Sequence, residues 1–366
     1  IFIRMIRMII APLLFGTLVA GIAGAGHFKD VGRMGLRAII YFEVVTTLAL
    51  LIGLFMVNVM KPGVGMVLPI GANPGITAKP QTWQEIILHT VPTSVIEAMA
   101  TGDVLQIVVF SIVFAIGLGM VGEKGRAMVE WCESLTEAMF KVTNIIMLYA
   151  PFGVGAAIAV TIGTSGLSVL QNLAFLVFTL YAALAVFYLL VLVPVMVLFR
   201  IPITGFFRAV KEPALIAFST TSSEAALPRA MESVEAFGVP RRIVSFILPL
   251  GYSFNLDGST LYLSLAAVFV AQAAGVSLTI GQQVTMLLTL MLTSKGVAGV
   301  PRASLVILAG TLASHNLPLE GITLILGVDA LMDMGRTMTN VIGNCLASVV
   351  VAKWEGEFRP AAERAA

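Results

Sequence analysis

The stretch GVDALMDMGRTMTNVIGN, residues 327–344, decides the fold, because it places charged and amide side chains inside an otherwise apolar segment. Asp329, Asp333, Arg336, Asn340 and Asn344 recur every three or four residues, so they share one face of a helix. A charged group at membrane depth costs about 2.5–3.5 kcal/mol, and such groups usually line a cavity or pathway. The alternative is an Asp333–Arg336 ion pair that only neutralises its own charges. The pattern favours a helix that lines a pathway.

Composition gives the class of protein to which this helix belongs. Hydrophobic residues make up 58% of the 366 residues and charged residues 11%, whereas a soluble domain carries about 25% charge. Mean hydropathy is +0.98. Apolar segments long enough to cross a hydrocarbon layer of about 30 Å occur at 5–25, 36–60, 95–121, 136–163, 168–199, 241–274 and 318–352. The sequence therefore predicts an all-α, multi-pass integral membrane protein of the cell inner (plasma) membrane.

Two further apolar stretches, 201–237 and 281–316, are interrupted near their middles by small and polar residues. Lys and Arg are concentrated in connections 26–37, 122–128, 200–211 and 229–242 and in the tail, but are absent from 164–170, 275–283 and 312–320. Cytoplasmic connections carry the excess of Lys and Arg. Each interrupted stretch must then enter and leave by the same face, the first from the cytoplasm and the second from outside. Two such re-entrant hairpins are typical of an inverted-repeat transporter.

The span at 241–274 contains GYSFNLDGSTLY, residues 251–262. Asn255, Asp257 and Gly258 at mid-membrane would interrupt the helix and leave backbone carbonyl groups beside a carboxylate. Oxygen ligands of this kind suit a small alkali cation. The alternative is a glycine kink beside a buried, protonated aspartic acid. This motif therefore predicts a cation site in a broken helix.

Three other segments contain candidate functional groups. The interrupted stretches centre on STTSSEAALP (219–228) and TSKGVAGVP (293–301). Their hydroxyl groups and unwound helix N-termini can bind an anion, and the glycine-rich segment can move as a lid, although small residues also mediate helix packing. Glu43 lies in an apolar segment beside Thr46 and Thr47. It is either a proton carrier or a carboxyl group with a structural hydrogen bond.

Several functional classes are disfavoured by the sequence. The net charge of +2 gives no reason to expect nucleic acid as a partner. Cys132 and Cys345 lie in apolar segments, and the three histidines form no ligand pattern, so we expect neither a disulfide nor a zinc site. An intramembrane hydrolase would need a nucleophile–base pair, and a channel would need a continuous polar lining. We expect neither an enzyme nor a bound cofactor.

Together these motifs resemble the dicarboxylate/amino acid:cation symporter family, the glutamate transporter homologues, over essentially the whole chain. The resemblance implies eight transmembrane helices and two helical hairpins, assembled as a homotrimer that works as an elevator. Residues 1–199 would be mainly scaffold and would comprise helices two to six of the family, the first helix being missing. Helices three and six would join the transport core. Residues 200–366 would be the transport core, with hairpin 1 at 201–237, helix seven at 241–274, hairpin 2 at 281–316, helix eight at 318–352 and a short tail.

The resemblance also implies a role for each motif residue. Arg336 would hold the side-chain carboxylate of the substrate, and Asp333 its ammonium group. The rest of the substrate site would comprise Asn340, Thr337, Ser222, Ser223, Gly299, Val300 and Pro301. Co-transported Na⁺ would bind at Asp257, Asn255, Asp329, Gly251, Ser253, Thr46, Thr47, Ser294, Val297 and Asn344.

Charge favours one substrate class over another. The planar fork of Arg336 suits a carboxylate, whereas Asp333 would repel a plain dicarboxylate and pair with an ammonium group. We therefore expect import of glutamate or aspartate, with a C4-dicarboxylate such as succinate, fumarate or malate as the alternative. Sodium-coupled members of the family have a carboxylate where this chain has Asn344, and often tyrosine where it has Glu43. This departure predicts that a proton replaces at least one sodium ion, or that one sodium ion is absent.

Overall fold

The computed structural model describes residues 32–66, 91–101, 104–149, 168–294 and 303–359, with isolated positions among residues 5–23 and 152–163. Throughout this part of the chain the regular secondary structure is helical, with no strand. The prediction of an all-α fold is therefore confirmed for the described residues.

The helices are numbered here in chain order, and a π-helical turn at Tyr188–Leu192 continues α5 into α6. A 3₁₀ turn at Gly122–Gly125 joins α3 to α4. Their bounds are α1 Gly32–Met60, α2 Val95–Thr101, α3 Val104–Val121, α4 Arg126–Leu148, α5 Ser168–Phe187, α6 Val193–Leu198, α7 Ile203–Thr220, α8 Ser223–Phe237, α9 Arg241–Phe254, α10 Asp257–Ala273, α11 Ile280–Thr293, α12 Ala303–Ser314, α13 Glu320–Leu326 and α14 Asp329–Glu355.

Within the described residues, three segments are long and apolar enough to cross a membrane. They are Met34–Met60, Leu170–Leu198 and Leu250–Ala273, which match the predicted spans 36–60, 168–199 and 241–274. The predicted span 136–163 begins too late, because α4 begins at Arg126. Hydropathy misses its first turns since they carry Arg126, Glu130 and Glu133, which are exposed. Most residues between 150 and 167 lie outside the described part of the chain.

Two of the predicted spans are broken. α9 ends at Phe254 and α10 begins at Asp257, with Asn255 and Leu256 in non-helical conformations between them, as the motif predicts. The span 318–352 divides into α13 and α14 around Gly327 and Val328, a break that no sequence motif predicted. The second break places Asp329 in the first turn of α14, where the helix dipole stabilises a negative charge.

The segment 201–237 forms a pair of helices. α7 and α8 are joined by Thr221, which adopts a left-handed conformation (φ 52°), and Ser222. The two helices pack against each other and against α14. Lys353 Nζ donates to the carbonyl of Arg200, just before α7, at 3.5 Å. Arg359 N donates to the carbonyl of Gly238, just after α8, at 3.0 Å. Both ends of the pair therefore lie beside the C-terminal end of α14.

The start of α1 lies at this same end of the molecule. Arg37 forms an ion pair with Glu355 at 2.8 Å, joining α1 to the last turn of α14. Phe358 packs on Phe237, with ring centroids 5.5 Å apart. The connections around residues 37, 200, 238 and 355, which are rich in Lys and Arg, therefore share one end of the fold.

The opposite end is held by neutral amide side chains. Asn58 Nδ2 donates to Gln283 Oε1 at 2.8 Å, which joins the end of α1 to the start of α11. Gln272 Nε2 donates to the carbonyl of Val57 at 3.0 Å, and Gln272 Oε1 accepts from Gly63 N at 3.1 Å. α13 also reaches this end.

The contact between α13 and α10 is close, because a Cβ atom at Gly321 would lie 2.6 Å from Val270 Cγ1. Residues 295–302, between α11 and α12, lie outside the described part of the chain. The helix pairs α7–α8 and α11–α12 thus have their outer ends at opposite ends of the fold.

α1 packs along α10 so closely that only glycine fits at position 53. A Cβ atom there would collide with Leu261 O and Ser264 Oγ, whereas Gly117 on α3 faces open space. We expect Gly53→Ala to destabilise the fold by about 1–3 kcal/mol, the usual cost of overpacking. Gly117→Ala should be neutral or slightly stabilising, since alanine favours a helix over glycine by about 1 kcal/mol. Thermal unfolding of both variants in detergent measures the difference, and equal midpoints would contradict the packing.

Candidate functional site

The polar face of α14 is directed into the protein. Three residues of this face are fully buried, namely Arg336, Asp329 and Asn344. The other two residues of the predicted face, Asp333 and Asn340, are at most 6% exposed. Thr337 is 5% exposed. The structure thus brings together the residues that the three- and four-residue spacing predicted to share a face.

Arg336 lies between two carboxylates. Its Nη2 atom donates to Asp333 Oδ1 at 2.8 Å and to Asp329 Oδ1 at 3.0 Å. Its guanidinium lies over the ring of Tyr262, 3.8 Å from the ring centroid. Asp333 Oδ1 also accepts from Thr337 Oγ1 at 3.4 Å. The Asp333–Arg336 ion pair that the sequence allows is present. Arg336 also pairs with Asp329, which the family resemblance assigns to a cation site.

The guanidinium keeps unused hydrogen-bonding capacity. Nε and Nη1 of Arg336 are buried and make no hydrogen bond within the described part of the chain. Buried donors nearly always have partners, so each orphaned group calls for an explanation. An incoming carboxylate would supply acceptors in the fork geometry that arginine prefers.

Asn340 contacts α10 rather than Arg336. Its Oδ1 atom accepts from the backbone N–H groups of Gly258 (2.8 Å) and Ser259 (3.2 Å), and its Nδ2 atom donates to Ser259 Oγ at 2.9 Å. The two helices approach closely here, because a Cβ atom at Gly258 would lie 2.8 Å from the Cα atom of Arg336. The glycine of the N-x-D-G motif is therefore needed for helix contact.

A second polar cluster occupies the break between α9 and α10. Asn255 Nδ2 donates to Asn344 Oδ1 at 3.2 Å and to Asp257 Oδ2 at 3.3 Å. Gly251 and Gly343 provide the space, since a Cβ atom at either would collide with Asn344 Oδ1 or Asp257 Oδ2 respectively.

This cluster also contains polar atoms with unused hydrogen-bonding capacity. Asn255 Oδ1 and Asn344 Nδ2 make no hydrogen bond within the described residues. A carboxylate and two amides around a broken helix are a donor set that suits a small alkali cation.

Glu43, Thr46 and Thr47 lie on α1, which packs against α10 and α9. Thr46 is buried, and its Oγ1 atom donates to the carbonyl of Phe42 at 2.6 Å. Glu43 and Thr47 are half-buried. The hydroxyl hydrogen of Thr46 is therefore used within its own helix.

The site residues in the two predicted hairpins are described in part. Ser223 is buried at the start of α8, and Ser222 is half-buried in the preceding turn. Ser294 is buried at the end of α11, where its Oγ atom donates to the carbonyl of Met291 at 3.3 Å. Other predicted site groups lie outside the described residues, namely Val297, Gly299, Val300, Pro301 and the side chain of Ser253.

Two residues of the site were missed from the sequence. Tyr262 stacks on Arg336, and Ser259 binds Asn340. Both lie in the quoted motif GYSFNLDGSTLY and, three residues apart, share a helix face, which is a pattern that could have identified them.

Helices broken at buried polar clusters, within a strongly apolar chain, define a membrane transport protein. The chain belongs to the sodium:dicarboxylate symporter family, whose model matches residues 1–354.

Relatives with stated activities cover nearly the whole chain. The Bacillus subtilis (strain 168) proton/sodium-glutamate symport protein is 45% identical, over 99% of this chain and 86% of its own length. The Escherichia coli (strain K12) proton/glutamate-aspartate symporter is 46% identical, over 98% of this chain and 84% of its own. A C4-dicarboxylate transport protein of B. subtilis (strain 168) is 44% identical, over 98% of this chain and 86% of its own length. The names of these relatives state two substrate classes, acidic amino acids and C4-dicarboxylates, and relatives of both classes are nearly equally identical to this chain.

Two arginines that each bridge two carboxylates allow a matched test of burial. Arg336→Met would leave Asp329 and Asp333 buried without their cation, which we expect to cost about 3–5 kcal/mol. Arg229 binds Glu212 at 2.6 Å and Glu232 at 2.7 Å, but all three side chains are exposed, so Arg229→Met should change stability little. Thermal unfolding of the two variants beside the unmodified protein gives the comparison. Similar losses from both would contradict the buried-charge account.

Proposed function

We propose that this protein is a secondary active symporter that imports glutamate or aspartate together with Na⁺, H⁺ or both across the cell inner membrane, which it crosses several times. The observation that carries the proposal is the buried Arg336, which is held by two carboxylates and still has two N–H groups to offer. It binds the side-chain carboxylate of the substrate, and Asp333 binds the ammonium group. The remaining residues proposed for this pocket are Thr337, Asn340, Ser222, Ser223, Gly299, Val300 and Pro301.

The arrangement of charge favours an amino acid over a plain dicarboxylate. Asp333 Oδ1 lies 2.8 Å from Arg336 Nη2, so a ligand carboxylate on Arg336 comes close to Asp333. An ammonium group on the same ligand neutralises that carboxylate, whereas succinate would place a second negative charge nearby. Transport of a C4-dicarboxylate is the second candidate function, because a relative named for that activity is 44% identical to this chain.

The proposed coupling cation binds at the cluster of Asn255, Asp257 and Asn344. Of these three side chains Asp257 alone is acidic, so the cluster matches one monovalent positive charge. Glu43 is proposed as a proton carrier because its carboxyl group is half-buried on α1, the helix that packs along α10. Further proposed oxygen ligands of co-transported Na⁺ are Asp329, Gly251, Ser253, Thr46, Thr47, Ser294 and Val297.

The proposed movement is that of an elevator, in which a transport core slides against a scaffold within a homotrimer. The core comprises hairpin 1 (201–237), helix seven (241–274), hairpin 2 (281–316) and helix eight (318–352), joined by α1 and α5–α6, while the rest of residues 1–199 forms the scaffold. Contacts of α1 with α10 support this division. So does the hydrogen bond from Tyr181 on α5 to the carbonyl of Leu331 on α14, at 2.8 Å.

The substrate assignment predicts the outcome of uptake into proteoliposomes. Radiolabelled aspartate or glutamate should accumulate under an inward sodium or proton gradient, and more strongly than succinate. Asp333→Ser should reduce amino-acid uptake at least about tenfold, since a hydrogen bond to a charged group contributes about 1.5–3 kcal/mol. Glu232→Ser serves as the control, because Glu232 is an exposed carboxylate that pairs with Arg229 and is not part of this pocket.

The gradient that drives uptake identifies the coupled ion. If Glu43 carries a proton, Glu43→Gln should lower uptake driven by a proton gradient and leave uptake driven by a sodium gradient unchanged. Preferred succinate uptake that is insensitive to Asp333→Ser would overturn the amino-acid assignment and support a dicarboxylate carrier.

The two-hairpin topology predicts which residues share a membrane face. Cys132 and Cys345 are buried, so cysteines introduced at exposed positions can be labelled selectively with a membrane-impermeant maleimide. Thr204→Cys and Arg241→Cys, which flank hairpin 1, should react from the cytoplasmic side. Ser277→Cys and Ser314→Cys, which flank hairpin 2, should react only from the other side. Reaction of either pair from two different sides would rule out that hairpin.

A further inference from the structure

The amide of Asn340 makes three hydrogen bonds to one short segment of a neighbouring helix. Its oxygen accepts from two consecutive backbone N–H groups, those of Gly258 and Ser259, and its nitrogen donates to the hydroxyl of Ser259. Asn340 is 4% exposed and Ser259 is 6% exposed, so water has little access to these bonds. This geometry is that of a helix cap supplied by another helix.

The N-terminus of α10 needs such a cap. The first turns of a helix leave N–H groups without partners inside the helix, and the residue before the helix usually supplies a side-chain acceptor. Here that residue is Leu256, which provides none. Asn340, 82 residues from Gly258 along the chain, takes its place. The helix that it caps begins at Asp257, the acidic residue of the proposed cation site.

Two backbone N–H groups and the hydroxyl of Ser259 together fix the amide of Asn340. If the amide were rotated by half a turn, its NH₂ group would face the N–H groups of Gly258 and Ser259, donor against donor. The two backbone N–H groups therefore select the orientation in which the oxygen forms the cap, and the hydroxyl of Ser259, which accepts from Nδ2, holds the other side of the amide in place. Nδ2 retains a second N–H, which is available to a bound ligand.

We propose that Asn340 couples the substrate pocket to the cation site by capping α10, and that Ser259 is the positioning residue that makes this coupling possible. Asn340 follows Arg336 by one helical turn, and its cap holds the helix end that bears Asp257. A substrate that binds the free N–H fixes the amide in its capping orientation, which orders the helix end for the cation. Cation and substrate therefore raise each other's affinity by the same factor. The identities of substrate and cation rest on the proposed function.

The test begins with the full-length protein free of substrate. Its thermal unfolding midpoint is measured against sodium concentration at fixed pH, and against pH without sodium. In Ser259→Ala we expect an apparent cation affinity about fivefold to tenfold weaker, the effect of losing one buried hydrogen bond. Ser259→Thr keeps the hydroxyl and should restore the original affinity. Ser259→Cys has a weaker acceptor and should fall between them.

The control is Ser264→Ala on the same helix. The Ser264 hydroxyl is buried and donates to the carbonyls of Leu50 and Leu261 rather than to Asn340. This variant should keep the cation affinity even if its unfolding midpoint falls. A purely structural role for Ser259 would lower the midpoint by the same amount at every cation concentration, and that result would overturn the proposal, as would failure of Ser259→Thr to restore the affinity.

A second measurement addresses coupling directly. The dissociation constant of L-aspartate is measured at low and at saturating cation, and the ratio of the two values should shrink about fivefold to tenfold in Ser259→Ala. An unchanged ratio would overturn the coupling role. If the unmodified protein bound neither aspartate nor glutamate, the proposed function would fail, while the cation titration without substrate would still decide whether Ser259 positions the cap.

Discussion

A buried guanidinium imposes the strongest constraint on this structure. Arg336 has no contact with solvent, and a charge in that position requires compensating partners. Asp329 and Asp333 provide negative charge, and the face of Tyr262 covers the guanidinium. α14 must therefore turn its polar side towards α10, and the smallest residue is needed where the helices meet. Gly258 has no space for a Cβ atom because the backbone of Arg336 fills it.

The break between α9 and α10 is also stabilised by polar side chains of α14. A broken helix releases backbone N–H and carbonyl groups, which are costly in an apolar environment unless side chains satisfy them. Asn340 satisfies the start of α10, and Asn255 bridges the gap to Asn344 and Asp257. These amides thus make the interruption between α9 and α10 possible within a strongly apolar chain.

Periodicity made the polar face of α14 and the break after Phe254 predictable, because both are local properties of the chain. Contacts between distant segments were not predictable in this way. The spacing allows Arg336 to reach either Asp333 or Asp329, and packing around Tyr262 lets it contact both. Nothing near Asn340 in sequence indicates that it caps a helix 82 residues away. The early start of α4 was missed for a different reason, since its first turns are polar on the exposed side.

The space around Asn344 bears on how the charge of this buried cluster can change by substitution. Asparagine and aspartate have nearly the same shape, and Gly251 leaves room for either side chain at position 344 without rearrangement. Exchanging one for the other changes the formal charge of the cluster by one unit while preserving its volume. A single substitution at this position can therefore alter the electrostatics of the protein interior without any repacking of the helices around it.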